Sequence, residues 1–175
     1  CGPAVLNGLL ALARTGIITT KRGEIHTPVF MPVGTAGAVR ALTPARLQEM
    51  GAQIILGNTY HLFLRPGLDI IKTFGSLHRF MGWDKPVLTD SGGFQIFSIS
   101  GPKKITPQGV QFKSHIDGSK FFFTPETVVE VQNGLDSDIQ MVLDYFAGSP
   151  STRAQDEKAL AITHQWAQRA RERFL

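Results

Sequence analysis

The chain has 175 residues, 42% of them hydrophobic, so it can bury one sizeable core and is expected to form one domain. Its net charge of +4 at pH 7 permits an anionic partner such as nucleic acid but does not require one. The single cysteine, Cys1, excludes an internal disulfide and a multi-cysteine zinc site, and the lack of a bilayer-spanning apolar run or a signal pattern predicts a soluble cytoplasmic protein without a membrane partner.

The first 95 residues predict a β-hairpin followed by alternating strands and helices. Residues 17–20 and 24–27 flank the turn-forming residues Lys21, Arg22 and Gly23, which predicts the hairpin. Short apolar runs bounded by proline, glycine and polar residues then predict three buried strands, at 29–33, 54–56 and 87–89.

Helices are predicted between these strands. Thr43 can cap the first amides of a helix whose first position is Pro44, with Leu47 and Met50 facing inward and Gly51 ending it. A second, short helix is predicted over 66–74 after the next strand.

Residues 96–123 interrupt this alternation. Two β-rich stretches, 110–116 and 120–123, surround Asp117 and Gly118, a strong signal for a two-residue hairpin turn. The sequence therefore predicts an inserted β-hairpin.

The alternation resumes after the insertion. Thr124 and Pro125 repeat the capped start of a helix, and a fourth strand over 139–143 ends in Asp144. A final amphipathic helix closes the chain. The predicted inward face of the helix after Pro125 consists of Val128, Val131 and Leu135. That of the final helix consists of Leu160, Ala167, Ala170 and Phe174.

Four strand–helix units with polar residues at each strand end predict a parallel β/α architecture. Such units form either an open doubly wound sheet or an eightfold barrel, and a barrel needs about 250 residues, so four units make roughly half of one. Neither a dinucleotide fingerprint nor a phosphate loop is present, which disfavours the nucleotide-binding open sheets, and a Gly-x-Ser-x-Gly elbow is also absent.

The strongest candidate site follows the third strand. Its carboxyl end carries Asp90, Ser91, Gly92, Gly93, Phe94 and Gln95. Ligands bind at the carboxyl ends of parallel strands, so Asp90 is a candidate acid or base, Ser91 and Gln95 candidate hydrogen-bonding groups, and Phe94 an aromatic face for a flat ligand. The paired glycines would let a substrate approach the backbone. The alternative is a turn in which Asp90 bonds its own backbone.

Four runs, at 27–35, 51–62, 64–67 and 88–95, together resemble the tRNA-guanine transglycosylase family, most closely its bacterial queuosine-pathway branch. The resemblance implies a (β/α)8 TIM-barrel fold with an N-terminal β-hairpin and an inserted hairpin, of which this chain would be roughly the first half. The implied divisions of 1–175 are a β extension (14–28), three β/α units (29–95), the insertion (96–123), and a fourth unit with its following helix (124–175).

The resemblance also implies an activity. Family members exchange a guanine in tRNA, at the anticodon wobble position, for a 7-deazaguanine such as preQ1 in queuosine biosynthesis. Base exchange at a ribose follows the double displacement of a retaining glycosidase, in which a carboxylate attacks the anomeric carbon and the incoming base then displaces it. The target nucleotide would be flipped out of a tRNA loop, since its anomeric carbon cannot be reached in a stack.

By the family pattern, Asp90 matches the general acid/base that protonates the departing guanine. Ser91 would hold the base or the carboxylate, Phe94 would stack on the ring, and Gln95 would bond its polar edge. These roles are implied by the resemblance, together with backbone approach at the two glycines.

Two further residues match positions of the family pattern. Asn58 resembles a group that bonds near the ribose, although it could simply cap the segment after its strand. Asp144 resembles the carboxylate that reads guanine, because the ring N–H and the exocyclic amino group both donate to it; alone, it could be an ordinary loop residue.

The family's carboxylate nucleophile and its cysteine/histidine zinc site lie in the second half of the domain. We therefore expect no cofactor or metal in this chain, a structural zinc and a homodimer in the full-length protein, and an isolated fragment that is inactive and poorly soluble because it exposes a strand edge. Tyr145 and Phe146 depart from the acidic residue and cysteine usual in bacterial members.

Two other functions remain open: a non-catalytic partner subunit that binds tRNA, and an unrelated barrel hydrolase using Asp90 and Asp144. Lys103 and Lys104 are candidates for phosphate contact. Trp166 is expected in the core. The residues expected to be a solvated face are Arg169, Arg171 and Arg173, and those expected to be structural are His26, His61, His78, His115 and His164.

Overall fold

The computed structural model describes residues 14–100 and 103–175, so Cys1 and part of the predicted insertion lie outside the described residues. Its strands are β1 (Gly16–Thr20), β2 (Gly23–Thr27), β3 (Val33–Gly34), β4 (Ile55–Asn58), β5 (Val87–Asp90), β6 (Lys104–Thr106), β7 (Gly109–Lys113), β8 (Lys120–Phe123) and β9 (Ile139–Gln140). Its helices are α1 (Pro44–Glu49), α2 (Thr59–Leu64), α3 (Leu68–Thr73), α4 (Leu77–Met81), α5 (Gly93–Ser98), α6 (Pro125–Leu135) and α7 (Arg153–Phe174).

A four-stranded sheet in the order β3-β4-β5-β9 organises the chain, and each neighbouring pair is parallel. Helices lie between the strands in sequence, so the predicted mixed α/β class with a parallel sheet is confirmed. The predicted N-terminal hairpin is present as the antiparallel pair β1-β2. Closure into a barrel stays a prediction, as do the domain divisions.

The inserted segment is a three-stranded antiparallel sheet, β6-β7-β8. The predicted two-residue turn at Asp117-Gly118 is wrong, because β7 ends at Lys113 and a longer loop follows. The Ser114 amide donates to the Ser119 carbonyl at 2.8 Å, and the Asp117 carboxylate accepts from the Ser119 amide at 3.1 Å. These local hydrogen bonds stabilise a broad loop instead of a tight turn.

The predicted buried strand at 29–33 is also wrong, since only Val33–Gly34 pairs with β4. Phe30 is 81% exposed and Val33 is 53% exposed. Pro28 and Pro32 have no amide to donate, and the one ladder contact that Pro32 makes is the hydrogen bond its carbonyl accepts from Leu56.

The fourth predicted strand is shorter than expected because a side chain takes over from the backbone ladder at Met141. The Met141 amide donates both to the Thr89 carbonyl of β5 and to the side-chain oxygen of Gln132 on α6, each at 3.1 Å, and the Met141 carbonyl accepts from the Gln132 side chain at 2.9 Å. Gln132 also accepts from the Thr89 hydroxyl at 2.7 Å, and all of its side chain is buried. This polar contact fixes where the chain leaves the sheet before Asp144.

The helix starts and the inward face of α6 were predicted correctly, and the inward faces of α1 and α7 only in part. Val128, Val131 and Leu135 are buried, as expected. Thr43 caps α1 and Thr124 caps α6, as expected, and Leu47 is buried. Met50, however, is 65% exposed because the helix ends before it can turn inward.

The inward face of α7 differs from the predicted one. Trp166 is buried as expected, and its indole N–H donates to the Pro107 carbonyl at 2.8 Å. Successive buried positions of this helix are three or four residues apart, so Leu160 and Phe174 fall on the exposed side. The other buried positions are Ala159, Ile162 and Ala170, of which Ala170 was predicted to face inward.

Part of the predicted solvated face of α7 is a packing surface. Arg169 forms two hydrogen bonds of 2.7 Å to Glu126, and Arg173 pairs with Glu130 at 3.0 Å. Both glutamates belong to α6, so these pairs orient the last helix on its neighbour. Arg171 remains exposed.

A buried carboxylate joins the hairpin to the beginning of the parallel strands. Asp138, whose side chain is wholly buried, accepts from Arg22, His78 and the Val87 amide, each at 2.9 Å. Arg22 and Lys21 also pair with Asp136. Burial alone would raise the pKa of Asp138, but the hydrogen bonds from His78, the Val87 amide and Arg22 outweigh it and lower that pKa.

Within residues 14–100 and 103–175, no helix combines the length and the apolar character needed to cross a lipid bilayer.

We expect Asp138→Asn to lower the free energy of unfolding by about 2–3 kcal/mol at pH 7, because it removes the charge that three buried donors share. The measurement is urea unfolding, with the exposed Asp84→Asn as control, expected within about 0.5 kcal/mol of wild type.

The pH dependence of this difference follows from the lowered pKa. Asp138 stabilises the fold fully above its ordinary value of 3.8, and the contribution is lost as pH falls through the folded value. The gap between wild type and Asp138→Asn should therefore narrow only in acid; a gap that narrows between pH 7 and pH 5 would contradict this assignment.

Candidate active site

Asn58 and Asp90 lie side by side at the carboxyl ends of adjacent strands. They are the last pair in the β4-β5 register, and the Asn58 amide donates to the Asp90 carboxylate at 2.5 Å. The carbonyl oxygen of the same side chain accepts from the His61 amide at 3.0 Å, so Asn58 also caps α2. The capping and functional interpretations of Asn58 are therefore compatible, because each uses a different atom.

Two backbone amides complete the environment of Asp90. Thr59 and Gly92 each donate to the same carboxylate oxygen at 3.1 Å. The hydrogen bond from Gly92 is the local turn that the sequence offered as an alternative. Asp90 thus closes its own turn and also ties β5 to the start of α2.

The pKa of the Asp90 carboxyl is raised above its ordinary value of 3.8, and burial is the main cause. The hydrogen bonds from Thr59, Gly92 and Asn58 oppose the shift, and the nearby charge of Asp144 adds to it. A carboxyl group in this state takes up and releases a proton closer to neutral pH than an exposed aspartate does.

Asp144 lies next to this carboxylate through Ser91. The Ser91 hydroxyl donates to Asp144 at 3.0 Å and accepts from the Gly93 amide at 3.2 Å. A Cβ at Gly93 would collide with the Asp144 carboxylate and lie 2.8 Å from its carbonyl oxygen. Only glycine fits at 93 while Asp144 keeps this position.

Gly92 is required for two reasons. Its φ is +78°, in the left-handed region, and a Cβ there would lie 2.8 Å from the Cβ of Tyr60. The turn between β5 and α5 can therefore pack directly on α2.

A cavity of about 250 Å³ opens beside Asp90. Four predicted site residues line it: Asn58, Asp90, Phe94 and Gln95. Ser91, Gly93 and Asp144 form the adjacent group and are not part of its wall. The structure therefore brings the predicted residues together as two neighbouring carboxylate groups joined by the backbone of 90–93.

Phe94 is 53% exposed, and its ring meets Phe146 edge-on, with centroids 5.3 Å apart. Phe146 also packs edge-on against Phe97, at 4.8 Å. The Tyr145 amide donates to Thr163 of α7 at 2.9 Å. The unusual Tyr145-Phe146 pair thus fixes the segment after Asp144 and supports the Phe94 ring.

Sequence reasoning missed several groups around this site. His61, predicted to be structural, lines the cavity, and burial lowers its pKa, helped by the nearby His115. Burial raises the pKa of Tyr60, whose hydroxyl pairs with Nδ1 of His115 at 2.9 Å. The capping role of Asn58 could have revealed α2. The contact between Tyr60 and His115 could not be predicted, because His115 lies in the insertion, far from Tyr60 in sequence.

A larger cavity, about 420 Å³, lies elsewhere in the described residues, between β1 and the beginning of β9. It is at the opposite end of the parallel strands, and its charged residues Lys21 and Asp136 pair with each other. Active sites in parallel β/α folds lie at the carboxyl ends, so we assign the smaller cavity as the site.

Across residues 14–100 and 103–175, no three His, Cys, Asp or Glu side chains are placed to share a metal ion.

A parallel β/α sheet whose carboxyl ends present a partly buried carboxyl group of raised pKa beside a cavity has the features of an α/β enzyme site. The sequence model of the family described as queuine tRNA-ribosyltransferase matches residues 10–175, and the chain belongs to this family.

Curated relatives carry the same description. Proteins named queuine tRNA-ribosyltransferase are 59% identical in Solidesulfovibrio magneticus, over 91% of this chain, and 58% identical in Caldanaerobacter subterraneus subsp. tengcongensis, also over 91%. The relative in Oleidesulfovibrio alaskensis is 50% identical over 99% of the chain. The chain covers 43%, 43% and 46% of these relatives, which is less than half of their length.

We expect Gly92→Ala to destabilise the protein by about 2–4 kcal/mol, since it combines an unfavourable φ with overpacking against Tyr60. Gly118→Ala is the matched control, because its φ is +76° but a Cβ there meets nothing within 4 Å. The control should cost only about 1 kcal/mol in urea unfolding. Equal losses in the two variants would show that the contact with Tyr60 contributes nothing.

Proposed function

We propose that this chain supplies the acid/base and base-recognition part of a tRNA-guanine transglycosylase site. The supporting observation is Asp90, a partly buried carboxyl of raised pKa that three donors hold beside a cavity. The reaction would exchange a guanine of tRNA, at the wobble position, for a 7-deazaguanine such as preQ1.

The two proposed roles of Asp90 need both of its protonation states, and its raised pKa makes the protonated form more accessible than in an exposed aspartate. As an acid it would donate a proton to the leaving guanine while a carboxylate nucleophile forms a bond to C1′ of the ribose. As a base it would then take a proton from the incoming deazaguanine, whose nitrogen attacks C1′ and displaces the enzyme carboxylate. Asp90 returns to its starting state, and one base has replaced the other without a break in the phosphate backbone.

The second carboxylate group would select the base. Asp144, oriented by Ser91, can accept from the ring N–H and the exocyclic amino group of guanine, which rejects bases lacking those donors. Because glycine has no Cβ, residue 93 leaves this carboxylate accessible to a base.

The cavity wall would position the rest of the nucleotide. Phe94 offers a half-exposed ring on which a purine-like base can stack, and Gln95 offers a polar edge beside it. Asn58 would bond near the ribose while it orients Asp90. The nucleotide reaches this cavity only when it is flipped out of the tRNA loop.

A structural zinc and a homodimer belong to the proposal only for the full-length protein.

The test is incorporation of labelled guanine into unmodified tRNA by the full-length protein. Asp90→Asn should lower the rate by about 10²–10⁴-fold, because the amide cannot transfer the proton. The exposed Asp69→Asn is the matched control and should leave the rate unchanged. Asp144→Asn should raise KM for the free base and weaken discrimination against bases without an amino group.

Loss of incorporation in Asp90→Asn with tRNA binding retained would support the acid/base role. A wild-type protein that binds tRNA and incorporates no guanine would instead indicate a non-catalytic partner subunit. Turnover of a small substrate without tRNA would indicate a hydrolase.

A further inference from the structure

The inserted sheet has one apolar face and one basic face. Cross-strand partners share a face, so the register that pairs Lys104 with Gln111, Gln111 with Phe122, and Lys113 with Lys120 places all five on the same side. All five side chains are exposed. We call this surface the lysine face.

The opposite side of the sheet is fully used in packing. Val110, Phe112 and Phe123 are buried there in a cluster with Trp166. The lysine face therefore has its orientation fixed by the core and cannot turn inward.

The lysines of this face lack anionic partners. In residues 14–100 and 103–175, no carboxylate lies within 4.0 Å of Lys104, Lys113 or Lys120, whereas Arg22 on the hairpin and Arg169 and Arg173 on α7 are paired. The nearby Lys103 is different, because its ammonium group bonds to the Phe97 carbonyl and lies 4.3 Å from that ring. The nearest acidic residue in the loop, Asp117, is engaged with Ser119.

Lys113 and Lys120 are directly opposite each other, and like charges in that position destabilise a strand pair. Lysines that only kept the sheet soluble would not need to oppose each other. A polyanion that bound across both strands would relieve this repulsion.

The shape and composition of the face also suit a nucleic acid. A groove of about 280 Å³ is lined by Lys104, Gln111, Lys113 and Lys120 of this face, together with Lys103 and Phe112. Phe122, 48% exposed on the same face, offers an aromatic surface next to the charges.

One end of the lysine face reaches the candidate active site. His115, two residues after Lys113, pairs with the Tyr60 hydroxyl. Tyr60 follows Thr59, whose amide donates to Asp90. The ring of His61, which lines the cavity beside Asp90, has its centroid 5.8 Å from that of the His115 ring, so the loop after β7 borders the candidate site.

We propose that the lysine face binds the phosphate backbone of the RNA next to the nucleotide held in the cavity. This inference rests on the proposed function, since it assigns a contact surface to the same substrate. The sheet would act as a positioning surface, holding the RNA while the chemistry takes place at Asp90.

The experiment measures tRNA binding to the full-length protein as a function of salt. A triple variant, Lys104→Gln with Lys113→Gln and Lys120→Gln, should weaken binding by about tenfold or more near physiological salt. Each lost phosphate contact should reduce the slope of log Kd against log salt by about 0.7–0.9. KM for tRNA should rise while KM for the free base stays unchanged.

A second triple variant serves as a control, with Lys72→Gln, Lys158→Gln and Arg171→Gln, which removes the same charge from exposed positions on α3 and α7. A control that weakens binding and flattens the slope as much as the test variant would overturn the proposal, since only net charge would then matter.

Folding of the variants is checked without RNA. Lys120→Gln should raise Tm because it removes the repulsion with Lys113, and excess tRNA should raise the Tm of wild type more than that of the triple variant. Failure of guanine exchange in wild type would overturn the proposed function alone, because the salt slope still reports on the lysine face.

Discussion

The site depends on how the Asp90 carboxylate is held. Asn58 of β4, Thr59 of α2 and Gly92 before α5 all donate to it, so one side chain joins two strands and two helices. Burial would push this group towards its neutral form, and the three donors favour its charged form. The balance gives one residue both a structural task and a state suited to proton transfer.

Polar contacts along β5 set the positions of the other groups. At the beginning of the strand, buried Asp138 binds the Val87 amide, His78 and Arg22, which fixes the hairpin and the sheet together. At its middle, Thr89 and Gln132 determine where the fourth strand ends. That ending places Asp144 against Ser91, so the second carboxylate depends on a hydrogen bond made far from the cavity.

The insertion connects this site with the outside of the molecule. Its apolar face completes the core around Trp166, its loop contacts Tyr60 through His115, and its outer face carries unpaired lysines. One small sheet thus packs beside the site and also presents a basic outer surface. Active-site loops on a rigid scaffold commonly combine such roles.

The sequence by itself determined the parallel α/β class, the capped starts of α1 and α6, and the cluster at the end of β5, because caps, prolines and strand-end polarity act within a few residues. The predicted buried strand at 29–33 was wrong, and the predicted inward face of α7 was right at Ala170 but wrong at Leu160 and Phe174, since both depend on partners distant in sequence. The predicted two-residue turn at 117–118 was wrong because local hydrogen bonds stabilise a broader loop there. Only the tertiary structure decided that Asn58 meets Asp90, that His61 lines the cavity, and that Asp144 lies behind Gly93. Register between strands and the packing of the insertion place these groups within hydrogen-bonding distance, and no local pattern encodes such distances.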